Sequence, residues 1–279
     1  MTDEAIQHEL FTMNKIELPP HSPESWQEVY RYDLMEVYGE MSCRGHSYAY
    51  NNRFETVIEL VQRVAQPGAK ILDVAASQGN YSLRLAELGY EVTWNDLREE
   101  LVDYVKLKYE QGTIHYAPGN LFSLGFEACF DVVLIAEIIE HVAHPDEFLQ
   151  KIAQLVKPGG YIVMTTPNGE YIRHNLPKFS ECPDPSQFEA MQFGPNSDGH
   201  IFLLHLDEIP ALVEQAHLSI IETRLFTNSL TNGHIKLEAL LKIIPKSWVD
   251  ALEGLTGSLP LFWQRKLHKG MAVLMQRPA

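Results

Sequence analysis

The chain has 279 residues, 45% of them hydrophobic, so it can bury a full core and is neither a disordered chain nor a small disulfide-stapled module. Its formal charge of −15 argues against a broad nucleic-acid footprint, which needs Lys and Arg clustered against phosphates. Cys43, Cys129 and Cys182 stand far apart with no CxxC pair, which points away from a disulfide framework or a structural zinc site. The stretch MTDEAIQHEL is acidic and lacks the basic-then-apolar pattern of a signal peptide, and the apolar run VVLIAEII is broken by Glu137. A soluble protein of the reducing cytoplasm is the expectation.

In chain order, SPESWQEVYRYDLMEVYGEM reads as a helix. Ser22 is placed to cap it and Pro23 suits its first turn, while Trp26, Val29, Tyr30, Leu34, Val37, Tyr38 and Met41 recur at helical spacing. This segment, within a cap over residues 1–52, is expected to pack over the mouth of a main domain covering residues 53–279. Tyr48 and Tyr50 are candidates for a pocket wall and equally for ordinary packing. From residue 69 to 166 strand and helix patterns alternate, the signature of a parallel sheet covered on both faces. Strands are predicted at KILDVAA, EVTWND, TIHYAPG, DVVLIAE and YIVMTT. The intervening helices stop at Gly89, at Gly112 and before KPGG. A further helix, LDEIPALVEQA, and the strands LSIIETRLF and MAVLMQ follow. The segments 167–204 and 227–270 are too long for ordinary loops and are the expected substrate-selecting insertions.

The turn DVAASQGNYS joins the first strand to its helix as a nucleotide-binding turn does, yet Gly79 is its one glycine; Ala75 and Ser77 occupy the other small-residue positions. No P-loop lysine follows, and Asp73 at the strand end would repel a pyrophosphate. The same carboxylate would attract a ligand carrying an ammonium and a sulfonium, which describes S-adenosylmethionine. Asp96 ends the second strand about 20 residues beyond the turn, where an acid can accept hydrogen bonds from both ribose hydroxyls. Asn120 and Leu121, after the third strand, are placed to meet an adenine.

The strings ILDVAASQGNYS, VTWNDL, PGNLF, FDVVLIAEIIEHVAHPDEFL and LVKPGGYIVMTTPNG, in this order, resemble the class I S-adenosylmethionine-dependent methyltransferases, in particular the O-methyltransferases of ubiquinone biosynthesis. The resemblance implies an α/β, doubly wound, seven-stranded, mostly parallel sheet of Rossmann-like form, with an antiparallel last strand, an N-terminal helical cap and insertions. It also implies a cofactor site lined by Asp73, Ala75, Ser77, Gly79, Asp96, Leu97, Asn120 and Leu121, with Glu137 grouped among them. Ala75 and Ser77 depart from the family's usual glycines.

A sulfonium is an activated methyl donor, so the protein must mainly align the acceptor and remove its proton. AEIIEHVAHP offers Glu137, Glu140 and His141 at i, i+3 and i+4, on one face of a helical turn just past the fourth strand. This resembles the E-x-x-E-H motif of the ubiquinone enzymes and of small-RNA 3′-terminal 2′-O-methyltransferases, some of which use a divalent metal there. His200 resembles the histidine those families carry before the next helix; His174 and His205 are further ligand types in the insertion. His141, Glu140 and His200 are the candidate catalytic set, with His141 first as a metal-free base because imidazole titrates near neutrality. A divalent metal is an alternative that the sequence does not favour, and a purely structural role for Glu140 and His141 is another.

Residues 236–269 carry a local charge of +3 among Leu, Ile, Trp and Phe. A hydrophobic lid folded onto the domain is the expectation, and a membrane surface or lipid-linked substrate the alternative. The leading reading is methyl transfer to a hydroxyl of a small molecule. The alternatives are an RNA 3′-terminal 2′-O-methyltransferase, which the acidic balance disfavours, and a non-catalytic protein that binds S-adenosylmethionine. A dehydrogenase is disfavoured by Asp73 and the glycine spacing.

Overall fold

The computed structural model describes residues 15–38, 44–109, 111–192, 199–232, 241 and 243–279. Met41, Cys43 and residues 236–240 of the basic segment lie outside them. Seven strands form one sheet: β1 Lys70–Val74, β2 Glu91–Trp94, β3 Thr113–Tyr116, β4 Phe130–Ala136, β5 Val156–Pro167, β6 Ser219–Asn228 and β7 His268–Gln276. Their order is β3-β2-β1-β4-β5-β7-β6. Pairing is parallel from β3 to β5, and β7 runs antiparallel to both β5 and β6, as expected.

The central strands are covered on both faces, so they read as continuous apolar runs; Val132, Val133, Leu134 and Ile135 are all fully buried. On one face Phe54, Val57, Leu60 and Val61 of helix α2 (Arg44–Val64) pack with Leu85 of α3 (Asn80–Glu87) against β1, β2 and β4. On the other face lie Leu149 and Ile152 of α5 (Pro145–Leu155) and Leu212 and Val213 of α6 (Ile209–Gln215). The chain crosses to opposite faces after β1 and β4, which opens a crevice at their carboxyl ends, the place where such sheets bind ligands.

Helix α2 carries Phe54, Val57, Ile58 and Val61 at i, i+3, i+4 and i+7 and lies outside the elements expected from the sequence. It runs unbroken through position 52/53, so the cap and the sheet domain share a helix across that division. Helix α1 (Glu24–Glu36) begins as expected, but the Ser22 hydroxyl donates to the Pro19 carbonyl, and no side chain caps the helix. Gly112 does not end α4 (Leu101–Lys108), which stops four residues earlier; it passes the Ala86 carbonyl so closely that a Cβ would overlap it. Helices α7 (Lys246–Gly257) and α8 (Leu261–Leu267) leave Trp248, Leu255, Phe262 and Trp263 more than half exposed. Leu241 and Val249 of the same segment are buried against Tyr48, so the segment packs onto the domain by one side and exposes apolar side chains on the other. No described helix is long and apolar enough to cross a membrane.

Helix α1 is fastened beside the β1–α3 turn, at the mouth of the sheet, by a buried polar knot. Lys108 Nζ donates to Asp33 Oδ2 at 2.6 Å, to Asn80 Oδ1 at 2.5 Å and to the Gln78 carbonyl at 3.1 Å. Tyr104 donates to Asp33 Oδ2 at 2.6 Å, and Asn80 Nδ2 to Asp33 Oδ1 at 2.9 Å. Asp33 and Lys108 are both fully buried, so each leaves an uncompensated charge if the other is removed. Asp33→Leu or Lys108→Met alone should destabilise the fold by about 3–5 kcal/mol, and the double substitution by clearly less than the sum. Urea-unfolding midpoints check this; additive losses would show that the pair is not coupled.

Candidate functional site

The turn after β1 takes the backbone path of a three-glycine loop with one glycine in it. Ala75, Ser77 and Gly79 all have positive φ, at 49°, 48° and 71°. The two non-glycine residues hold a left-handed conformation that costs about 1–2 kcal/mol each, strain that persists only where surrounding structure enforces it. Ser77 is enforced by its backbone N–H, which donates to Asp96 Oδ2 at 2.9 Å, and by its carbonyl, which accepts from Trp94 Nε1 at 3.2 Å. Gly79 is required, because a Cβ there would meet Val105 at 2.8 Å. Asp73 is buried and accepts from the Ser82 hydroxyl at 2.6 Å. Burial pushes its carboxyl up to about 7 against the pull of those Ser82 bonds.

Asp96 stands at the end of β2 with its acceptor positions filled. Oδ1 accepts from Arg98 N at 2.9 Å and Nε at 3.0 Å, and Oδ2 accepts from Ser77 N and, at 3.3 Å, from Arg98 Nη2. A carboxylate has about four lone-pair sites, so a ribose can engage Asp96 only where the part-exposed Arg98 side chain yields. The adenine-side residues divide. Leu97 is 52% exposed at the crevice edge; Leu121 is buried, its side chain in the apolar core; Asn120 caps the following 3₁₀ turn through Phe122 N. Leu121 thus offers its backbone rather than a ring-packing side chain.

At the carboxyl end of β4 the chain brings Glu140, His141 and His200 together. Ligand atoms from the three lie within 4.8 Å of one another. The His141 and His200 rings meet edge to face with centroids 4.9 Å apart. His200 arrives because Ile201 N donates to the Glu140 carbonyl at 2.7 Å, tying the end of the first insertion to the turn Ile139–His141. Thr166 donates to Glu140 Oε2 at 3.0 Å, while Oε1 is buried with no partner among the described residues. Burial, and then the charge of Glu137, hold the Glu140 carboxyl well above the usual range. His200 is exposed at one edge, yet desolvation of its inner side and the neighbouring His141 lower its pKa. His174 is apart, its Nδ1 at 2.7 Å from the Asn168 carbonyl.

Glu137 does not join this set. It takes a left-handed φ of 56° and pairs with Arg53 of α2 at 3.1 Å. Arg53 and Lys269 line a recess with Glu137, Pro167, Phe226 and Thr227, and Arg53, Pro167, Phe226 and Lys269 are not among the candidate site residues of the sequence. The signal for Arg53 was a lone cation in an apolar helical repeat. Glu36 faces the same region, and burial pushes its carboxyl up to about 7.

The family model described as a methyltransferase domain matches residues 48–223, and the chain belongs to that family. A ubiquinone biosynthesis O-methyltransferase of Xanthomonas campestris pv. campestris is 36% identical over 148 residues, 46% of this chain and 62% of that protein. Another, from Caulobacter vibrioides, is 41% identical over 105 residues, 36% of this chain and 42% of the relative. The chain thus spans less than two thirds of the length of these relatives. Among solved structures, an S-adenosylmethionine-dependent methyltransferase of Mesorhizobium loti superposes with TM-score 0.54 at 14% identity, covering 80% of this chain and 96% of that one. The phosphoethanolamine N-methyltransferase 2 of Haemonchus contortus, in complex with S-adenosyl-L-methionine, gives TM-score 0.55 at 16% identity, covering 94% and 62%. At such identities the likeness is one of fold.

The chain is therefore a member of the methyltransferase-domain family, with the fold of enzymes that use S-adenosylmethionine. Two acids, Asp73 and Asp96, stand at the ends of β1 and β2, and Arg53 pairs with Glu137 at the end of β4. Lys108, close to the turn, is sealed into its pair with Asp33 and is not free for a phosphate. Asp96→Ala should weaken S-adenosylmethionine binding at least tenfold in calorimetric titration. Arg98→Ala should tighten it, by no more than about fivefold, since the competing ion pair is part-exposed. Weaker binding by Arg98→Ala would mean that Arg98 itself holds the cofactor.

Proposed function

We propose that the protein transfers the methyl group of S-adenosylmethionine to a hydroxyl oxygen of a small molecule, with His141 accepting the hydroxyl proton. The observation that carries this reading is the convergence of His141, His200 and Glu140 at the carboxyl end of β4, beside the crevice. The names of the ubiquinone-biosynthesis relatives support oxygen as the acceptor. The net charge of −15 favours a small acceptor over RNA. The exposed Trp248, Phe262 and Trp263 are compatible with a lipid-linked acceptor or a peripheral membrane contact.

In this reading Asp96 holds the ribose, Leu97, Asn120 and the Leu121 backbone border the adenine, and the turn at Ala75, Ser77 and Gly79 lies under the amino-acid tail, with Asp73 beneath it. When bound, the cofactor supplies a methyl group already activated by its sulfonium. The chain's own work is to orient the acceptor and to take its proton. His141 is suited to that step because its ring, half-buried against His200, stands beside the crevice at the carboxyl end of β4. The second reading adds a divalent cation held by Glu140, His141 and His200, favoured by the orphaned Glu140 Oε1. Carboxylate with two imidazoles suits zinc or manganese better than magnesium, and such a cation would lower the pKa of a bound hydroxyl.

His141→Ala should cut turnover on a phenolic or catechol acceptor about 10²–10⁴-fold with cofactor affinity kept. Turnover at the wild-type rate would remove His141 from the chemistry. Dialysis against a chelator separates the two readings: unchanged activity and no metal by elemental analysis support the imidazole alone. Activity lost to the chelator, restored by zinc or manganese, and abolished in Glu140→Gln supports the cation.

Asp73 gives a pH test. Its carboxyl is raised from about 4 to about 7 by folding, so folding of the cofactor-free protein takes up a proton between those values. The stability that neutral Asp73 contributes is full at low pH and is lost as pH rises through about 7. A cationic tail favours the ionised form, so cofactor affinity should rise as pH climbs to about 7 and then level off. Calorimetry in buffers of different ionisation enthalpy should detect proton release on binding, and Asp73→Asn should abolish it. A pH-independent affinity would place Asp73 outside the cofactor's electrostatic reach.

A further inference from the structure

The two helices that precede β7 turn a large apolar surface outward. On α7, Trp248, Ala251, Leu252 and Leu255 fall at i, i+3, i+4 and i+7, the spacing of a face that packs against another helix. Trp248 and Leu255 are nevertheless 70% and 65% exposed, Ala251 is exposed and Leu252 half-buried, while Val249 and Thr256 point inward. The helix thus has two apolar faces, and its own chain covers one. Helix α8 adds Leu261, Phe262 and Trp263, each at least half exposed. It is tied to the end of α7 by Gln264 Nε2, which donates to the Gly257 and Leu259 carbonyls at 2.8 and 2.6 Å.

Area and charge indicate what covers such a surface. With aromatic side chains of about 150–250 Å² each, the exposed parts of Trp248, Leu255, Leu261, Phe262 and Trp263 come to roughly 600 Å². That is the top of the range of about 300–600 Å² for the largest apolar patch on a monomer. It is also most of the roughly 800 Å² that each side of a specific protein complex buries. The cations of the two helices are largely answered: Lys246 pairs with Asp250 at 2.9 Å and Arg265 with Glu170 at 3.6 Å, which leaves Lys266. A face so nearly neutral lacks the row of Lys and Arg with which an interfacial helix engages anionic lipid. On a chain of net charge −15 it is a place where two copies can approach with little repulsion.

We propose that this face is the contact between two copies of the chain, related by a twofold axis that sets their α7 helices antiparallel. In that register Trp248 of each copy lies level with Leu255 of the other, and Ala251 with Leu252. The spacing is therefore complementary to itself, as a twofold contact requires. The small Ala251 near the centre lets the two helix axes come close. Because α7 and α8 belong to the connection from β6 to β7, the contact is independent of the cofactor's turn after β1 and of which acceptor the protein takes.

Sedimentation velocity of the full chain across micromolar concentrations tests this. The wild type should sediment as a dimer. Trp248→Glu and Leu255→Lys should each raise the dissociation constant at least about tenfold, with S-adenosylhomocysteine affinity unchanged because both side chains are exposed. Mixing the two variants should restore dimers. Position 248 of one copy then meets position 255 of the other with opposite charges, and the second such pair keeps its native Trp248 and Leu255. A wild type that stays monomeric throughout, a variant that dimerises as the wild type does, or a mixture that gains nothing over either variant alone would overturn the proposal. A monomeric wild type that instead binds phosphatidylglycerol vesicles, and loses that binding in Trp248→Glu, would also overturn it and assign the face to lipid.

Discussion

The gap between the carboxyl ends of β1 and β4 is the constraint on which the rest of the molecule depends. The chain leaves these adjacent parallel strands toward opposite faces, so no element can cover the space between them. Backbone groups and side chains at both strand ends therefore face a cleft instead of a core. Asp73 and the strained turn come from one side of that cleft, and Glu137, Glu140 and His141 from the other. The positive φ values at Ala75, Ser77 and Glu137 are local costs concentrated at this place, each held by longer-range bonds such as Ser77 N to Asp96 and Glu137 N to the Thr165 carbonyl.

Charge is distributed around the cleft in pairs that are buried to different depths. Asp33 with Lys108 is sealed from water and fixes α1 to the turn; Asp96 with Arg98 is part-exposed and can open. Arg53 with Glu137 is intermediate, bridging α2 to the end of β4. Depth sets the consequence. A sealed pair acts as a structural tie whose loss strands a charge, while a part-exposed pair is screened and exchanges readily with a ligand.

Much of this was legible in the sequence because it depends on spacing along the chain. The seven strands follow from apolar runs along the chain, and a single seven-stranded sheet with an antiparallel last strand follows from the family resemblance, while the strand order comes from the structure. Asp96 after β2 and the neighbours Glu140 and His141 after β4 are likewise placed by register alone. Helix α2 lies outside the expected elements, its repeat interrupted by Asn51, Asn52 and Arg53 at its centre, and of the two ways Leu121 could meet an adenine, side chain or backbone, the core occupies the side chain.

The sequence by itself determined the sheet, the cofactor class and the kinds of reactive group available, since periodicity, turn chemistry and an acid at a strand end are local properties. Only the tertiary structure decided which of those groups meet. Helical spacing would have kept Glu137 with Glu140 and His141, yet the 3₁₀ turn and the left-handed residue before it swing Glu137 away toward Arg53, 84 positions earlier. His200 comes in from the far end of an insertion through one backbone bond to Glu140. Lys269 reaches the recess because an antiparallel strand returns its first residues to the end where the parallel strands finish. Such contacts depend on how distant segments share one cleft, and no pattern within a segment encodes that.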